Sequence, residues 1–75
     1  MNTEFEKKIG NNLKTLREDC GFTQEYVSTK LQLYGCDITR SALAKIEVGQ
    51  RHIYPDELYH LKTILKTNFD EIFKM

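Results

Sequence analysis

The apolar residues fall into short helical stripes divided by breakers. Phe5, Ile9, Leu13, Leu16 and Cys20 are spaced 4, 4, 3 and 4 residues apart, which keeps them on one face of a helix. Thr3 with Glu6 reads as a capping box and Gly21 as the left-handed stop, so the first helix is predicted from about Glu4 to Cys20. Thr23 is the next N-cap, with Phe22 and Val27 at the ends of a hydrophobic staple and Leu31 extending Val27's face. This second helix is predicted from Gln24 through Leu33, with Gly35 ending it. Thr39, between Ile38 and Leu43, repeats the signal for a third helix of about Arg40 to Val48, with Leu43 and Ile46 inward and Gly49 as its stop. Gln50 to Tyr54 read as a loop. Pro55 then opens a fourth helix, with Asp56 and Glu57 in the turn where the macrodipole favours negative charge and a stripe of Leu58, Leu61, Ile64 and Leu65. Asn68 with Glu71 reads as a further capping box, ahead of one turn carrying Phe69, Ile72 and Phe73. The pattern predicts an all-α domain of five helices, with the proline and every glycine at a helix end.

The length of 75 residues limits the chain to a single domain, 1–75, with no repeat or linker. Its hydrophobic share of 40% and interrupted charge pattern fit a folded chain rather than a disordered one. No apolar run reaches the roughly eighteen residues of a membrane span. The opening Met1-Asn2-Thr3-Glu4 lacks the basic start and apolar stretch of a signal peptide, so a cytoplasmic protein without membrane contact is expected. In that compartment Cys20 and Cys36 are expected as reduced, buried thiols. Fifteen residues separate them and neither belongs to a CxxC pair, while His52 and His60 lie eight positions apart, so no metal is predicted.

Catalytic chemistry has no foothold in the pattern. Gly10, Gly21, Gly35 and Gly49 are isolated rather than gathered into a phosphate-cradling loop, and no Ser or Cys stands in a nucleophile motif. Small helical domains also leave little room for a metabolite pocket. A binding protein is expected rather than an enzyme, with no cofactor and no small-molecule substrate.

Two stretches carry specific information: Gly21-Phe22-Thr23-Gln24-Glu25, and Ile46-Glu47-Val48-Gly49-Gln50-Arg51 after the third helix. With Arg17 late in helix one and the closing pair Ile72-Phe73, they resemble the lambda-repressor-like (Cro and repressor type, also called xenobiotic-response-element) helix-turn-helix family over about Ile9 to Phe73. The resemblance implies a compact five-helix DNA-binding domain whose helix-turn-helix is formed by helices two and three. In such a pair the second helix lies in the major groove with its N-terminal residues at base edges. Thr39 to Lys45 is then the reading segment, and with Leu43 and Ile46 inward, Arg40, Ser41, Ala44 and Lys45 are left as base readers. Arg40 is the strongest of these, because a guanidinium bonds guanine O6 and N7 together. The resemblance places Gln24 on the DNA backbone; Thr39, Gln50, Arg51 and His52 are the further candidates for phosphate contact. It also implies an internal ion pair between Arg17 and Glu47, tying helix one to helix three.

One departure from that family's pattern is the connection from Leu31 to Thr39, about five residues longer than the usual tight L-G-x-S segment. An extra turn of helix two plus a loop would absorb it, with Leu33 and Ile38 in the core and Tyr34 and Asp37 projecting near the groove.

The balance of eleven basic and eleven acidic residues, taken over the whole chain, argues against nucleic acid. Between Phe22 and Tyr54, however, Lys30, Arg40, Lys45 and Arg51 face only Glu25, Asp37 and Glu47, a surplus of one positive charge, or two if Arg17 neutralises Glu47. The expectation is a repressor-like, sequence-specific regulator of transcription on double-stranded DNA, with homodimerisation through Phe69, Phe73 and Met75 as a further possibility. The alternative is an interaction module of the same fold, antitoxin-like or bridging, that does not read DNA.

Overall fold

The computed structural model describes residues 3–75; Met1 and Asn2 of the opening segment lie outside the described residues. Five helices follow in order: α1 (Thr3–Asp19), α2 (Gln24–Leu33), α3 (Arg40–Glu47), α4 (Pro55–Ile64) and α5 (Phe69–Ile72). Among the described residues there is no strand. The fold is all-α and of the lambda-repressor-like type expected from the sequence. α1 already includes Thr3, and α1 and α3 each end one residue earlier than the periodicity suggested.

Local chemistry sets these boundaries. The hydroxyls of Thr23 and Thr39 accept the backbone N–H groups of Tyr26 and Ala42 at 3.0 and 3.1 Å, and the Asn68 side chain accepts from Glu71 N–H at 2.9 Å. At the other end, α1 to α4 close with the same pair of backbone bonds, as in Gln50 N–H to Lys45 O (2.8 Å) and Gly49 N–H to Ile46 O (3.1 Å). The pattern needs one left-handed residue. It is Gly21, Gly35 and Gly49 after α1 to α3, but Lys66, at φ 54°, after α4.

The core is built from one or two residues of every element: Ile9 and Leu13 of α1, Val27 and Leu31 of α2, Leu43 and Ile46 of α3, Leu61 and Ile64 of α4, and Ile72 of α5. Cys36, Ile38 and Leu65 complete it from the connections. Asn12 of α1 fastens α5, donating to the carbonyls of Ile72 (2.8 Å) and Lys74 (2.6 Å). Cys20 and Cys36 are free thiols; Cys36 is buried, whereas Cys20 is half-buried and donates to Leu65 O at 3.3 Å.

Besides the half-buried Cys20, expected as buried, four expectations need correction. Gly10 does not mark a helix end: it lies inside α1, where a Cβ would collide with the backbone carbonyl oxygen of Ile46. Phe5 is 44% exposed, since the stripe of α1 reaches the rim of the core one turn before Ile9. Leu33 is 75% exposed rather than in the core, because it is two residues and so about 200° around the helix from buried Leu31. Cys36 fills the core instead, drawn in by its N–H bond to Leu31 O at 2.9 Å. Tyr34 turns away from α3 and stacks on His60 of α4, with ring centres 5.0 Å apart.

Candidate nucleic-acid interface

Thr39, the cap of α3, starts a face on which Arg40, Ser41 and Lys45 are exposed and Ala44 is half-buried, while Leu43 and Ile46 of the same helix are buried. The N-terminus of α2 abuts this face. Gln24, Thr39, Arg40, Ser41 and Ala44 line one open hollow, and Arg40 also borders a second one with Arg17, Thr23, Gln24 and Glu25. Five of the nine candidate DNA-contacting residues therefore share a single depression. Lys45 lies farther along α3, and Gln50, Arg51 and His52 lie in the segment after it.

Beneath this face is a buried polar cluster. Arg17 Nε donates to Glu47 Oε2 at 2.7 Å and Nη2 to Oε1 at 3.1 Å, while Nη1 donates to the Phe22 carbonyl at 2.8 Å. Gln24 Nε2 donates to Glu47 Oε1 at 2.9 Å. The cluster joins the end of α1, the start of α2 and the end of α3. Its hydrogen bond to the Glu47 carboxylate, opposed by burial, raises the affinity of the Arg17 guanidinium for its proton. Gln24 keeps its second side-chain N–H for an outside acceptor, and the Thr39 hydroxyl, whose oxygen serves the cap, keeps its proton to donate.

The segment after α3 is less open. Arg51 Nη1 and Nη2 donate to the two carboxylate oxygens of Glu57 at 2.9 and 3.0 Å, Nη1 also donates to the His52 carbonyl at 2.9 Å, and the guanidinium lies 5.7 Å from the Tyr54 ring centre. Glu57, placed by the sequence only as a first-turn acid, is buried and also accepts Tyr54 N–H at 3.1 Å. Its bond to Arg51, opposed by burial, holds the Arg51 proton more tightly than usual. His52 Nδ1 lies 2.9 Å from Glu6 Oε1 of α1. Gln50 is exposed, its backbone N–H taken by Lys45 O. Among the described residues, Arg40 is the one arginine without an acidic partner, and Lys45 also has none there.

Among the described residues, no group of three or more His, Cys, Asp or Glu could hold a metal ion, and no helix is long and apolar enough to cross a membrane. A family model described as helix-turn-helix matches residues 13–72. Neither a curated protein nor a solved structure matches the chain.

Proposed function

The chain belongs to the lambda-repressor-like helix-turn-helix family of DNA-binding regulators, and on that premise we propose that it is a repressor-like transcriptional regulator reading a specific duplex with α3. The observation that carries the proposal is the pairing of an acid-free arginine with the α2–α3 hollow: Arg40 lies beside Gln24, Thr39, Ser41 and Ala44 while both other arginines are engaged. In the proposed complex Arg40 bonds a guanine edge in the major groove, Ser41 donates to or accepts from a neighbouring base, Ala44 meets a thymine methyl and Lys45 reaches a guanine or a phosphate. Gln24 and Thr39 donate to phosphates at the N-termini of α2 and α3, where the helix dipole adds to the attraction. Gln50, Arg51 and His52 face the flanking phosphates, with Arg51 also held by Glu57 and His52 in contact with Glu6.

The same reading makes the chain a binding protein rather than an enzyme, acting in the compartment that holds the DNA, the cytoplasm. Two copies on a two-fold site would meet through Phe69, Phe73 and Met75, all exposed at the C-terminal end. The test is selection of bound duplexes from a random pool, followed by titration of the selected duplex at rising salt. A shared sequence bound in preference to random DNA, with affinity falling as salt rises, is expected; absence of binding at low salt overturns the proposal.

A further inference from the structure

The side of α2 that turns away from the core carries Tyr26, Lys30, Leu33 and Tyr34, at the i, i+4, i+7 and i+8 spacing of a single helical face. Tyr26 and Tyr34 are 43% and 51% exposed, and Leu33 is more exposed still. An apolar strip of this kind is more than a solvated helix requires.

Between this face and α4 lies a hollow of about 180 Å³. Phe22, Tyr26, Lys30 and Tyr34 form one bank; Thr63, Ile64 and Lys66 form the other. The aromatic bank is held in place: Tyr34 stacks on His60 with planes 6° apart, and Tyr26 packs on Phe22 at 4.5 Å with Lys30 Nζ 5.6 Å from the Tyr26 ring centre. The space is below the several hundred Å³ of a metabolite site and suits one large side chain. No acid lines it, and its two charged groups, Lys30 and Lys66, have no carboxylate partner among the described residues.

Lys66 adds an independent observation. It occupies the left-handed position that α1, α2 and α3 give to glycine, at φ 54°. A lysine there strains the backbone where glycine would not, so the fold gives up stability at the point that puts a cation on the rim of the hollow.

We infer that this hollow docks an acidic segment of another protein, one with an aromatic or large aliphatic side chain between carboxylates. The apolar side chain enters between Tyr26 and Tyr34 above Ile64, and the flanking carboxylates meet Lys30 and Lys66. The hollow shares no residue with the depression formed by Gln24, Thr39, Arg40, Ser41 and Ala44, so a docked partner and bound DNA do not compete for side chains.

The test is a titration of the isotope-labelled full chain, followed by amide chemical shifts, with the synthetic peptide Asp-Glu-Phe-Asp-Glu-Leu and its counterpart Lys-Lys-Phe-Lys-Lys-Leu. Shifts are expected at Tyr26, Lys30, Tyr34, Thr63 and Lys66 with the acidic peptide and not with the basic one. Lys30→Glu and Lys66→Glu should each weaken binding about tenfold. Lys66→Gly should raise the melting temperature yet weaken the peptide, which separates loss of the cation from loss of the fold. Equal binding of both peptides overturns the inference, as do acidic-peptide shifts centred on Arg40 and Lys45. It is overturned equally if a DNA duplex, or a second copy of the chain at rising concentration without peptide, shifts the hollow instead.

Discussion

Gln24 and Glu47, the first residue of α2 and the last of α3, are joined by a 2.9 Å hydrogen bond, and the same carboxylate holds Arg17. One buried acid thus fixes both helices of the helix-turn-helix relative to α1. Glu47→Gln retains the shape but leaves the Arg17 guanidinium buried against a neutral amide. Unfolding in urea is expected to show a loss of about 3 kcal/mol, and Arg17→Met combined with Glu47→Leu should lose less than the sum of the two single changes. Additive losses would mean that the pair is not coupled.

Gly10→Ala should reverse the usual sign of its substitution. In an ordinary helix interior alanine is favoured over glycine by about 0.5 to 1 kcal/mol. Here the new Cβ meets the Ile46 carbonyl oxygen and lies 3.1 Å from that of Glu47, both backbone atoms of α3 that cannot rotate aside. A loss of about 3 kcal/mol is expected, read as a fall of on the order of 10 °C or more in Tm. An unchanged or raised Tm would show that α1 and α3 separate at little cost.

Arg40→Ala and Lys45→Ala distinguish base reading from phosphate attraction. With a selected duplex in hand, Arg40→Ala is expected to relax preference at one base pair by about 1 to 3 kcal/mol. Lys45→Ala, if its contact is to a phosphate, should weaken all duplexes alike and reduce the salt slope by about one unit. Unchanged base preference in the Arg40 variant would remove it as the reader.

Glu57→Gln tests how far Arg51 takes part. Bound on both Nη atoms by Glu57, the guanidinium presents little net charge to a phosphate. The substitution keeps an acceptor for Tyr54 N–H while releasing the charge, so binding at low salt should tighten and the salt slope steepen by up to about one unit. A slope equal to that of the parent chain would assign Arg51 to the fold alone.

Cys36 should impose an alkaline limit on stability. Burial, with Asp56 and Glu57 adding to it, pushes the thiol above its ordinary value of 9.0. The thiol of the unfolded chain ionises first as pH rises, so the contribution is complete below that ordinary value and is lost as pH climbs towards the folded one. Urea midpoints from about pH 8 to about pH 10 should fall more steeply for the parent chain than for Cys36→Ala. Parallel profiles would contradict the assignment.

The helices were legible in the sequence because their limits are local: Thr23, Thr39 and Asn68 cap from their own side chains, and the residues after α1 to α4 close a backbone pattern within six positions. The outward placement of Arg40, Ser41 and Lys45 on α3 was legible for the same reason, since buried Leu43 and Ile46 dictate which neighbours face outward, whereas the hollow that Arg40 and Ser41 form with Gln24 of α2 was not. What escaped were relationships between distant elements. Nothing near Gly10 in sequence reveals that α3 presses on it, and Glu57 reads as a dipole-matched surface acid until the chain brings Arg51 to it. Leu33 misled because hydrophobicity alone does not say on which side of α2 a residue falls.

The approach at Gly10 has a counterpart one turn away, where a Cβ on Gly49 would lie 2.8 Å from Lys7 Cβ and 2.9 Å from its Cα. At both points the main chains of α1 and of the α3 end meet with no layer of side chains between them. Side-chain rotations cannot lubricate such a seam, so sliding of α1 along the end of α3 would bring main-chain atoms into collision. If the chain binds DNA as proposed, any adjustment to a bent or overtwisted duplex would have to be made outside this α1–α3 seam.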